Sequence, residues 1–102
     1  MFIYHIVLPE IWRVAADQTE YAPTGLASEG FIHCSYESQL PAVIERYYGD
    51  QKRLIILRLD PEKLTSKLVA EPSTGGEIYP HIYGPIDRTA IVEAAEYIKQ
   101  EA

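Results

Sequence analysis

Several features that would assign a protein quickly are scarce or missing from this 102-residue sequence. There is one cysteine, Cys34, so no internal disulfide can close, and a lone thiol is no zinc framework. No apolar stretch approaches the roughly 20 residues that cross a bilayer, so no membrane partner is expected. The opening MFIYHIVLPEIW lacks the basic segment and small-residue cleavage site of a signal peptide, which makes a cytoplasmic location the expectation. Positive charge is thin: nine Lys and Arg stand against fifteen Asp and Glu, for a net charge of −6. The basic residues are scattered, with Lys52-Arg53 the closest pair, so the clustered cations of a nucleic-acid surface are not there. A small anionic ligand stays open, because it needs only one or two cations or a few backbone amides. Gly75-Gly76 is a bare turn signal without the GxGxxG or Walker pattern of a phosphate loop.

What is present describes one domain, residues 1–102, with no repeat, low-complexity run or internal boundary. Apolar residues at 47% and charged residues at 24% are ordinary for a folded globular chain. Eight tyrosines are many for this length. Tyrosine combines an apolar body with a polar tip, which suits half-buried packing and pocket walls alike.

Hydrophobic patterning predicts a strand over Phe2–Leu8, then a helix from Pro9 to Ala16 or Asp17 with Ile11, Trp12 and Ala15 inward. Gln18–Glu29 reads as loop with a short extended piece near Tyr21. A second strand is expected over Phe31–Ser35, and a helix over Gln39–Tyr48 capped by Ser38. Its apolar face is Leu40, Val43, Ile44 and Tyr47. RLIILRL, Arg53–Leu59, is apolar enough for a central strand. Asp60–Leu64 reads as a turn, Leu68–Glu71 as a short strand, and Ile78–Tyr83 as extended before the Gly84-Pro85 turn. Ala90–Gln100 fits either a helix or a strand. Strands outnumber helices without regular βαβ alternation, so the class is α+β.

The three histidines stand in YHIV, GFIHCS and YPHIYGP. Side chains of a strand alternate between its faces. Phe31, His33 and Ser35 therefore share one face, and Ile32 and Cys34 the core-facing other. Tyr79, His81 and Tyr83 likewise share a face opposite Pro80 and Ile82. His5, between Ile3 and Val7, is expected to be the most deeply set. For each histidine the plain alternative is a hydrogen-bonded structural group. A metal is not expected, since separations of 28 (His5 to His33) and 48 (His33 to His81) match no compact ligand motif. Ser35 lacks a GxSxG elbow, and Cys34 points away from His33. Glu71, after the apolar Leu68-Val69-Ala70, is the better candidate acid, while Glu77 reads as a solvated loop carboxylate.

At these residues the sequence resembles a bacterial family, the domain of unknown function 952. The resemblance rests on YHIV followed by Trp12, GFIHCS with Gln39 following, RLIILRLD then Leu64, Glu71, and YPHIYGPI. It covers nearly the whole chain, and GFIHCS followed by PHIYGP is its most specific part. The family usually has Phe where this chain has Tyr79. It implies a C-terminal strand. It also implies a fold like that of the ADP-ribosyltransferase and RNA 2′-phosphotransferase group, with two small antiparallel or mixed sheets forming a cleft, and two helices. That comparison places His5, His33, Glu71 and His81 as catalytic candidates. Arg13, Ser35, Tyr79 and Tyr83 become ligand-binding candidates, with NAD, ADP-ribose or a related nucleotide as the ligand and NAD as a substrate rather than a resident cofactor. Fold analogy does not transfer activity. Two functions stay open: a nucleotide binder or ADP-ribose transferase, and a non-catalytic module for a small metabolite or a protein.

Overall fold

Strand β4, Arg53–Leu59, organises the molecule, as its unbroken apolar run predicts. A computed structural model describes residues 1–15 and 17–99. In it β4 lies between β1, Ile3–Val7, and the C-terminal β8, Ile91–Ile98, with both pairings antiparallel. Its side chains alternate between two apolar clusters. Leu57 and Leu59, both fully buried, join Ile3, Val7, Ile32, Ile82 and Ile86. Leu54 joins Ile6 and, from the helix α3 at Leu40–Tyr48, Ile44. A strand buried on both faces needs no polar alternation, which is why it was readable.

A second antiparallel sheet has the order β3 (Ile32–His33), β6 (Ile78–Tyr83), β5 (Lys67–Pro72). The third is a two-residue ladder of β2, Glu20–Tyr21, with β7, Ile86–Asp87. Helix α1 spans Pro9–Ala15, and α2 spans Thr24–Glu29. The class is α+β as expected, but the described residues form three antiparallel sheets and three α-helices rather than two of each. None of these helices is long and apolar enough to cross a membrane.

Four expectations are corrected. The loop over 18–29 contains α2, because Pro23 stands just before the first turn and Gly30 ends the helix in the left-handed region (φ 85°), donating its N–H to the Leu26 carbonyl. Ser38 does not cap α3. It sits inside a 3₁₀ turn, Glu37–Gln39, where the Tyr36 N–H donates to Gln39 Oε1 at 2.9 Å. Ile11 is exposed, since this short helix turns Trp12 and Ala15 to the core and buries no residue fully. The Phe31–Ser35 strand is shortened to Ile32–His33, with one further backbone bond from Cys34 to Pro80 of β6, after which Ser35 crosses to bridge Tyr4 of β1. The tail is strand, as the family resemblance implied. The expected ends of the first helix at Ala16 and of the tail at Gln100 lie outside the described residues.

The crossing at Ser35 positions the site. Reciprocal backbone bonds, Tyr4 N–H to Ser35 O (2.8 Å) and Ser35 N–H to Tyr4 O (2.7 Å), tie the first sheet to the second. Cys34 N–H donates to Pro80 O at 3.1 Å on the other side. The edge strand β1 thus meets the edge segment at β3, with the central β6 on its far side, and each of the three carries one histidine.

Candidate functional site

The register of β3 against β6 puts His33 directly opposite His81. Their ring centroids are 5.2 Å apart, nearly perpendicular. His5 reaches the same place from β1, its Nδ1 lying 2.7 Å from the His33 carbonyl oxygen. A carbonyl only accepts, so that nitrogen carries the proton and Nε2 of neutral His5 is bare. Burial lowers the His5 pKa to about 4, against the raising effect of that backbone bond and with a smaller lowering by His33. His5 is therefore a neutral imidazole at physiological pH.

His81, not His5, is the most deeply set, at 3% exposure. The pleat turns its ring onto the face shared with Val69 of β5, and Phe31 stacks over it with centroids 4.3 Å apart. His81 Nδ1–H donates to Glu71 Oε1 at 2.7 Å, and the Tyr83 hydroxyl donates to the same oxygen. These bonds, Tyr83 first and His81 second, hold the Glu71 carboxyl below its usual range. The same carboxylate raises the pKa of the Tyr83 hydroxyl. His81 Nε2 is buried with no hydrogen-bond partner among the described residues.

A cavity of about 550 Å³ opens beside this cluster. His5, His33 and Ser35 line it, with aromatic walls from Tyr4, Phe31 and Tyr79. Val43, Tyr47 and Tyr48 of α3 complete it on the helix side. Of the residues singled out from sequence, these four (His5, His33, Ser35, Tyr79) share the cavity. Glu71, His81 and Tyr83 form a linked group that Phe31 connects to it, but they do not line it. Arg13 is exposed on α1 and away from the lining, because the helix carries it outward despite its nearness in sequence to YHIV.

Three participants escaped the sequence reading. Glu29, taken as loop, lines the cavity and accepts from His33 Nε2 at 3.1 Å. Its signal was the four-residue spacing to His33 around Gly30. Gln39 donates from Nε2 to Glu77 Oε2 and to the Ile78 carbonyl, both at 2.8 Å, so Glu77 is an engaged group rather than a free loop acid. Tyr79 also donates to Glu77, at 3.3 Å. Arg46 of α3 holds its Cζ 5.9 Å from the Tyr47 ring centroid, at the cavity's edge. Among the described residues no three His, Cys, Asp or Glu side chains gather as a metal site.

Fold and site together define a class: a small α+β protein of short antiparallel sheets with a histidine- and tyrosine-walled pocket at the seam between two of them. Within that class the chain belongs to the family described as protein of unknown function (DUF952), whose model matches residues 6–94. No curated protein matches it. The crystal structure of protein CC0527 from Caulobacter crescentus is similar, with a TM-score of 0.82 at 28% identity over 94% of this chain and 85% of that one. The solution NMR structure of CC0527 gives 0.78 at 28% identity, over 92% and 82%.

Proposed function

We propose that the protein binds a small planar ligand of the nucleotide kind, with NAD, ADP-ribose and their fragments as the candidates, in the cavity at the seam of the two larger sheets. The carrying observation is the cavity's lining, in which aromatic walls enclose polar groups aimed at one volume. About 550 Å³ lies within the range of small-molecule sites, roughly 300–1,000 Å³. Tyr and Phe rings give a heteroaromatic base faces to stack on. Neutral His5 offers an acceptor nitrogen, and Ser35 a hydroxyl, to its edge. The likeness to the ADP-ribosyltransferase and RNA 2′-phosphotransferase group belongs to this reading. What supports it is a cleft between small antiparallel sheets with a histidine on the first strand.

Binding is better supported than transfer of ADP-ribose. A transferase needs a carboxylate free to face the developing sugar cation. Glu71 instead accepts from both His81 and Tyr83 and does not line the cavity, and Glu29, which does line it, accepts from His33. A thermal-shift series and a ¹H–¹⁵N NMR titration with NAD, ADP-ribose, AMP and adenosine test the proposal. Stabilisation together with shifts at His5, His33 and Ser35 is expected. No response at millimolar ligand would overturn it.

A further inference from the structure

A cation strengthens a pocket's hold on a phosphate, and none of the described residues lining the cavity is a lysine or arginine. The five arginines divide sharply. Arg53 is paired with Glu96 at 3.1 Å and Arg58 with Glu93 at 3.7 Å, both on the β4–β8 sheet. Arg88 lies over the Trp12 ring at 5.0 Å. Arg13 is exposed on α1, away from the cavity.

Arg46 differs from these. It is exposed on α3, in the turn whose Tyr47 and Tyr48 wall the cavity, and its guanidinium stands over the Tyr47 ring. The Tyr47 hydroxyl beside it, with a smaller effect from Tyr79, raises its already high pKa against a lowering by desolvation. Both of those tyrosines line the cavity, so the guanidinium, 5.9 Å from the Tyr47 ring centroid, stands beside its mouth. No carboxylate pairs with Arg46 among the described residues. Glu77, which Tyr79 also contacts, is engaged by Gln39 instead. A guanidinium has five N–H donors in a rigid fork, more than its tyrosine neighbours can take up. The planar fork matches a phosphate better than any other side chain does.

We infer that Arg46 is the anion-gripping residue of the pocket, and that the ligand is a heteroaromatic nucleoside carrying a phosphate that sits at the cavity mouth while its base lies among the aromatic walls. The inference rests on the proposed nucleotide reading and narrows it to phosphorylated ligands. Exposure keeps the contact modest, so the phosphate is worth roughly two- to fivefold in affinity at low salt.

Calorimetric titrations with adenosine and AMP, and with nicotinamide riboside and its mononucleotide, separate the two ideas. The intact protein should bind each monophosphate about two- to fivefold more tightly than its nucleoside, with a preference that shrinks as salt rises. Arg46→Gln should abolish the preference, weakening each monophosphate more than its nucleoside until the two bind alike. Arg46→Lys should keep part of it, and Arg13→Gln all of it. Equal affinity for nucleoside and monophosphate, or a preference that survives Arg46→Gln, overturns the role of Arg46 and leaves base binding standing. Failure of all four ligands to bind overturns the nucleotide reading, and the role of Arg46 with it.

Discussion

Replacing His5 with glutamine should remove an acid-sensitive component of stability whose size and pH window follow from its burial. In the folded protein His5 donates to the His33 carbonyl, and its pKa falls from 6.5 to about 4. The unfolded chain takes up the proton near 6.5, so between these two values the unfolded state binds more protons than the folded one. Stability therefore declines as pH falls from about 6.5 towards 4, and the decline stops once the folded protein protonates too. A displacement of this size corresponds to about 3 kcal/mol, and the partial exposure of the ring trims that to about 2–3 kcal/mol. Fifteen acidic residues also titrate towards the lower end, so the wild-type profile alone is not decisive. The difference between wild type and His5→Gln isolates the term, because glutamine can still donate to a carbonyl but does not titrate. Urea unfolding can follow Trp12, the single tryptophan, whose ring lies 5.7 Å from Tyr21 in the core. The wild-type advantage over the variant should shrink by about 2–3 kcal/mol from pH 7 to pH 4. A difference that stays flat across that range refutes the burial argument, as does an NMR-titrated His5 pKa near 6.5.

Three further outcomes follow. Leu57→Ala, at a fully buried position in the main cluster, should cost about 3 kcal/mol in urea unfolding, because neighbours anchored in two sheets cannot collapse into the void. Cys34 is buried and its thiol pKa is driven upward by burial, so the native protein should resist a thiol-alkylating reagent that labels it promptly in urea. Prompt labelling of the native state would show that β3 opens locally. Glu71→Gln should bring Tyr83 ionisation back down towards the usual value of 10, read by ultraviolet absorbance, since the carboxylate both accepts from that hydroxyl and opposes its negative form. The stabilisation held by Glu71 is complete above its ordinary 4.5 and is lost only as pH falls through its lowered value, so it is separable from the His5 term.

What could be read from sequence and what could not divide along a physical line. Local periodicity states which side chains share a face, and those statements hold: Ile32 and Cys34 are buried opposite His33, and Pro80 and Ile82 opposite His81. Strand β4 was readable for the same reason, since a strand packed on both faces writes its burial into the consecutive apolar residues Leu54–Leu57. Periodicity does not state which face meets which strand. The depth of His81 comes from its pairing with His33 on one side and Val69 on the other, with Phe31 stacked above, and none of those partners is local. Sequence proximity misleads in the same way for charge. Arg13 is eight positions from His5, yet α1 carries it away from the cavity, whereas Arg46 stands beside the cavity walls only because α3 packs against the first sheet through Ile44 and Leu54. Helix α2 was hidden because Pro23 and Gly25 are loop residues by composition, and only the left-handed Gly30 with its bond to Leu26 shows a helix end there. A site assembled at a seam between sheets is therefore announced in sequence by its residue types, and its membership is decided by register.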